Sequence, residues 1–109
     1  MIVKAKPINN IQHIILCSEH YYGIKMDIIS LMDSNGSPVP GFIRIEFNAG
    51  IFPNYTREKL TYNSIDHFLR DWIVINISDP ADPQNKQEKD IMKELYKNLR
   101  DNKLKTLLS

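Results

Sequence analysis

Between Phe42 and Asn48 the chain alternates strictly, with Ile43, Ile45 and Phe47 apolar and Arg44, Glu46 and Asn48 polar. A period of two places each set on its own face of a pleated strand, so the segment predicts an antiparallel strand with one face on a core and one in water. Ile24 to Met32 is a second stretch rich in β-branched residues. The two are joined by Asp33-Ser34-Asn35-Gly36-Ser37-Pro38-Val39-Pro40, whose turn formers predict a β-hairpin.

Ile11 to Cys17 is a dense apolar run ending in the turn-like Ser18 to Gly23. Its β-branched content favours a strand, although Ile8, Ile11 and Ile15 also fit helical spacing. From Ala49 to Tyr62 the pattern breaks up around Gly50, Pro53 and Asn54, which predicts a loop carrying Ile51, Phe52 and Tyr55. Ile65, Phe68, Leu69 and Trp72 then recur at helical spacing behind Asn63 and Ser64, either of which is suited to cap a short amphipathic helix.

Ile73-Val74-Ile75-Asn76-Ile77 is too β-branched to prolong that helix and predicts a strand stopped by Asp79-Pro80-Ala81-Asp82-Pro83. Gln84 to Arg100 is rich in helix formers, with Ile91, Met92, Leu95, Tyr96 and Leu99 on one stripe. Past Asn102 the stripe slips, so Leu104 and Leu108 fall off it and the last turn is expected to kink or to pack elsewhere. The expected architecture is α+β: an antiparallel sheet of about four strands, with a short helix and a long C-terminal helix on one face. At 109 residues the chain fits one domain, 1–109, around one core.

Composition adds little to the fold and more to function. Fourteen basic and thirteen acidic residues give a net charge of +1 without a block of like charge, so partners recognised by bulk charge are disfavoured, nucleic acid among them. Neither a signal-like segment nor a membrane-length apolar run is visible, and the lone Cys17 suits a reducing compartment, so a cytoplasmic location is expected. The acceptor-like triplets at Asn54 and Asn76 carry no weight without secretion.

The chemical motifs are sparse. His13, Cys17 and His20 supply three possible soft-metal ligands but do not complete a structural zinc site, so neither metal nor cofactor is expected. Cys17 as a nucleophile requires a base such as His13 or His67, and no cysteine-enzyme motif surrounds it. Carboxylates are scattered, no glycine-rich phosphate loop is present, and no catalytic residue is assigned.

Tyr21, Tyr22, Phe52 and Tyr55 fall on turn-rich segments, where large rings are harder to bury than on a strand. Either Phe52 and one or two of the tyrosines close the edge of the core, or the rings, with arginines around them, anchor an interface. On the second reading Tyr21, Tyr22, Arg44, Phe52, Tyr55 and Arg57 form the expected partner-binding set, with Arg70 as a further candidate.

The helical segment Tyr62-Asn63-Ser64-Ile65-Asp66-His67-Phe68-Leu69-Arg70-Asp71-Trp72, about a tenth of the chain, resembles the S-[FI]-x-x-F-L-x-x-W segment of small bacterial immunity proteins, including the SUKH-type group. The resemblance implies a non-enzymatic protein that neutralises a cognate toxin by direct complex formation. Two rivals stand beside it: a nucleic-acid-binding regulator using Lys86, Lys89, Lys93 and Lys97, and an enzyme with an unrecognised site around His13, Cys17, His20 or His67. Leu104, Leu107 and Leu108 either join the core or form a contact between two copies, so monomer and homodimer are both expected states.

Overall fold

The computed structural model describes residues 1–8, 11, 14, 16–17, 19–50, 54–78 and 82–108. In chain order they form β1 (Ile2–Pro7), β2 (Tyr22–Met32), β3 (Pro38–Ala49), β4 (Thr56–Tyr62), α1 (Ile65–Asp71), β5 (Trp72–Ser78) and α2 (Lys86–Leu108). The strands make one sheet in the order β4-β3-β2-β1-β5, and each neighbouring pair is antiparallel. The α+β class and the two helices are as expected, while the sheet has five strands.

The strands that the sequence pattern misses are β1 and β4. In β1, Val3 and Ala5 are buried while Lys4 and Lys6 face the other way, a six-residue strand in which the β-branched Ile2 and Val3 are followed by Lys, Ala and Pro, types depleted in strands. β4 lies inside the segment expected to be a loop; its core contribution is Leu60 and Tyr62. Pairing with β3, from Ala49↔Thr56 to Ile43↔Tyr62, decides its structure, so tertiary context outweighs local propensity. Of the strand expected over 11–17, residues 12, 13 and 15 lie outside the described set. Among its described residues Ile11 and Ile14 make an isolated bridge, and Ile14 and Leu16 are buried without joining the sheet.

The β2–β3 hairpin turns where expected. Asp33 Oδ1 accepts from the N–H groups of Asn35 and Ser37, both at 2.9 Å, and Gly36 takes the positive φ of 80° that closing the turn requires. Ser64, rather than Asn63, caps α1, its Oγ accepting from the His67 N–H at 3.3 Å. At Trp72 the backbone becomes extended (φ −134°, ψ 141°) and the β-branched run begins.

At the start of α2, Asn85 Oδ1 accepts from the Glu88 N–H at 2.9 Å, and Glu88 reaches back to the Gln84 N–H at 2.6 Å, a reciprocal cap. The helix runs past its expected end at Arg100 to Leu108. Met92, Leu95 and Leu99 are buried, whereas Tyr96, expected on the same stripe, is exposed. Leu104, Leu107 and Leu108 lie on helical backbone, and their side chains are outside the described set.

Both helices contribute to the core on one side of the sheet. Phe47 and Trp72 meet edge to face with ring centroids 5.2 Å apart, Phe68 stacks on Trp72 at 6.2 Å, and Tyr22 closes on both Phe47 and Trp72 at 5.9 Å. Trp72 Nε1 donates to Tyr62 Oη at 3.1 Å, and that hydroxyl donates to Asp71 Oδ2 at 2.9 Å, so the indole N–H is satisfied inside the core.

β5 is an edge strand, and α2 covers its outer side. Asn98 Oδ1 accepts from the Val74 N–H at 3.1 Å, and Asn102 Nδ2 donates to the Val74 carbonyl at 3.1 Å. The two amides also bond to each other at 2.9 Å, so side chains replace the next strand at that point. The opposite edge, β4, carries Arg57, Glu58 and Lys59 instead, charges that disfavour pairing with another chain.

Candidate functional site

With the helices on one face, the other face of the sheet is open among the described residues. Strand register fixes what it displays. In one row across the sheet Lys59 lies opposite Glu46, Glu46 opposite Lys25, and Lys25 opposite Ile2. In another, Arg57 lies opposite Asn48 and Lys4 opposite Gly23. Arg44 is opposite Asp27, and Lys6 is two residues along β1 from Lys4. The open face thus holds Lys4, Lys6, Lys25, Arg44, Arg57 and Lys59 against Asp27 and Glu46: six cations and two carboxylates in a chain whose whole charge is +1. The rest of the chain is acidic in balance.

The near-neutral total conceals this segregation. The signal is present in the sequence as the parity of charges on alternating strands, but reading it requires knowing that residues 2–7 and 56–62 are strands at all. Among the described residues the ion pairs are those of Glu46, with Arg57 at 3.3 Å and Lys59 at 3.9 Å. Arg57 also donates to Asn48 Oδ1 at 3.3 Å. Lys4, Lys6, Lys25 and Arg44 stand without a carboxylate at ion-pair distance among those residues.

The expected partner-binding residues divide between the two faces. Tyr21 is 52% exposed and lies on the open side, with Lys4 Nζ 5.3 Å and Lys6 Nζ 4.9 Å from its ring centroid. Tyr22, expected on a turn, is instead the first residue of β2, and its half-buried ring closes the core, because successive strand residues point to opposite faces. Its hydroxyl accepts from the Cys17 N–H at 3.2 Å. Arg44 sits over the Phe42 ring at 5.8 Å on the open face. Tyr55, 58% exposed, precedes β4. Phe52 lies outside the described residues. Arg70 is in the last turn of α1, which packs with the core-side elements, and so is separate from this set.

Tyr21 and Tyr55 line one shallow cleft of about 810 Å³, whose floor and walls include Lys4, Gly23 and Asn48, with Glu19 and His20 on it as well. Lys86, Lys89, Lys93 and Lys97 are exposed along α2 but interleaved with Glu88, Asp90 and Glu94, so that face carries no comparable surplus.

Among the described residues no group of three or more His, Cys, Asp or Glu is placed to hold a metal ion. Cys17 is exposed, and His13 is outside the described set. Within the core, burial pushes the Tyr62 phenol above its ordinary value; the adjacent Asp71 adds to the shift and the bond from Trp72 opposes it. No described helix is long and apolar enough to cross a membrane. Comparison with known proteins gives no match: no family model fits the chain, and neither a curated protein nor a solved structure matches it.

Proposed function

We propose that this chain is a non-enzymatic, cytoplasmic binding protein that lays the open face of its sheet against an acidic surface of a partner protein. The helix segment Ser64 to Trp72 supports taking that partner to be a bacterial toxin and the chain to be its immunity protein. The observation that carries the reading is the concentration of six cations against two carboxylates on one uncovered sheet face, with exposed Tyr21 and Tyr55 bordering it. Such a face steers an oppositely charged partner and selects its orientation, while aromatic anchors supply desolvated contact area.

The test is co-expression of the tagged chain with the product of the adjacent gene. A stoichiometric complex that protects cells from that product, and that is lost when Lys25 and Arg44 are both changed to Glu without loss of circular dichroism, is the expected result. Retention of the complex by that double variant overturns the open face as the binding surface, and the absence of a complex overturns the immunity reading.

The same cation-rich, tyrosine-bearing sheet face favours a second reading, a single-stranded nucleic acid laid across the strands. A mobility-shift assay at low salt separates the two, since phosphate binding is strongest there. Asp27 and Glu46, set among the cations, weigh against a continuous phosphate track and keep the protein partner as the first reading.

A further inference from the structure

We infer that the corner of the open face formed by Lys4, Lys6 and Tyr21 is an anchor site for a carboxylate side chain of the acidic partner. The inference rests on the reading of the open face as a binding surface and specifies where on it the decisive contact lies.

Lys4 and Lys6 project from β1 to the same side, and both ammonium groups lie about the Tyr21 ring, at 5.3 and 4.9 Å from its centroid. The ring gathers two like charges in one place, and neither has a carboxylate at ion-pair distance among the described residues, whereas Arg57 and Lys59 already share Glu46. Two ammonium groups held at one ring, neither paired with a described carboxylate, make a local positive centre, and a carboxylate docking against it gains charge-assisted hydrogen bonds. Resting on the aromatic face also restricts the lysine stems beforehand, which lowers the ordering cost of binding.

The space is available. Gly23, directly opposite Lys4 on β2, contributes no side chain, and a Cβ built there meets nothing within 4 Å. The cleft that Lys4 and Tyr21 line continues over Gly23 to the Asn48 amide, a further donor. Glu19, on the same cleft, is the acid that Lys4 and Lys6 together outnumber. A single carboxylate suits this corner better than a polyphosphate chain, because Glu46, in the neighbouring row between Lys25 and Lys59, limits how far a polyanion can spread beyond the row of Lys4, Gly23 and Asn48.

The experiment is titration of the full-length, 15N-labelled chain with decaglutamate and, separately, with decathymidylate, followed by amide chemical shifts. Decaglutamate is expected to move the amides of Lys4, Lys6, Gly23 and Asn48, and Lys4→Gln with Lys6→Gln is expected to weaken it about tenfold, while Lys89→Gln, exposed on α2 away from the open face, leaves it unchanged. Absence of shifts at those amides, equal losses in the two variants, or larger shifts with decathymidylate at the same positions each overturn the assignment. If Lys25→Glu with Arg44→Glu abolishes capture of the partner and the Lys4/Lys6 variant does not, the anchor fails while the open face stands; if neither variant affects capture, both fail.

Discussion

Tyr62 and Trp72 are joined by a hydrogen bond inside the core, Trp72 Nε1 donating to the Tyr62 hydroxyl at 3.1 Å. Tyr62 ends β4 and Trp72 begins β5, so the bond ties the two edge strands together across α1. Tyr62→Phe removes the acceptor and leaves a buried indole N–H unpaired. The expected loss is about 1–3 kcal/mol in urea denaturation, with the indole Nε1–H resonance shifted in the NMR spectrum. Wild-type stability would show this bond to be dispensable.

The same phenol links stability to alkaline pH. Its ionisation is raised in the folded state, chiefly by burial. Below the ordinary tyrosine value both folded and unfolded states hold the proton, and stability from this group is flat. As pH rises above that value the unfolded chain loses the proton first, so stability falls. Denaturation midpoints are expected to decline above about pH 10, and Tyr62→Phe is expected to lose its share of that slope.

Asn98 and Asn102 stand in for a sixth strand at Val74. Asn98→Ala leaves the Val74 N–H unpaired at the sheet edge, with an expected cost of about 1–3 kcal/mol and faster hydrogen exchange at the Val74 amide. Changing both asparagines to Ala exposes the strand edge to other chains, and sedimentation should then show association that the wild type lacks. An unchanged exchange rate at Val74 would refute the clamp.

The adjacent tyrosines separate stability from binding. Tyr22→Ala opens a hole beside Phe47 and Trp72 and is expected to cost about 2–4 kcal/mol. Tyr21→Ala is expected to change stability by less than about 0.5 kcal/mol while weakening capture of the partner. Thermal melts of the two variants read the difference directly, and comparable melting losses would place Tyr21 in the core.

Gly41 tests the β2–β3 register. A Cβ built there collides with the Ile29 carbonyl oxygen and comes within 3.3 Å of Gln87 Oε1. The site adjoins the register shift between Ile29 and Leu31. Gly41→Ala is therefore expected to destabilise by about 1–3 kcal/mol through overpacking, and an unaffected melting temperature would show that the hairpin gives way freely there.

Local pattern was enough for the elements that carry their own signal. Strict alternation from Phe42 to Asn48 marks β3, the helical spacing of Ile65, Phe68 and Leu69 behind Ser64 marks α1, and the β-branched run after it marks β5, because one face of each must be buried whatever its neighbours are. The α+β class follows from those elements. β1 and β4 are fixed by pairing with β2, β3 and β5, because the charged residues set among their apolar and β-branched ones blur the pattern in isolation. The candidate site depends on the same pairing. Composition sets the net charge at +1, but the surplus on the open face exists only once Lys4, Lys6, Lys25, Arg44, Arg57 and Lys59 are brought side by side by register. Likewise, sequence makes Tyr21 and Tyr22 neighbours; the two-residue period of a strand sends one to water and the other to the core.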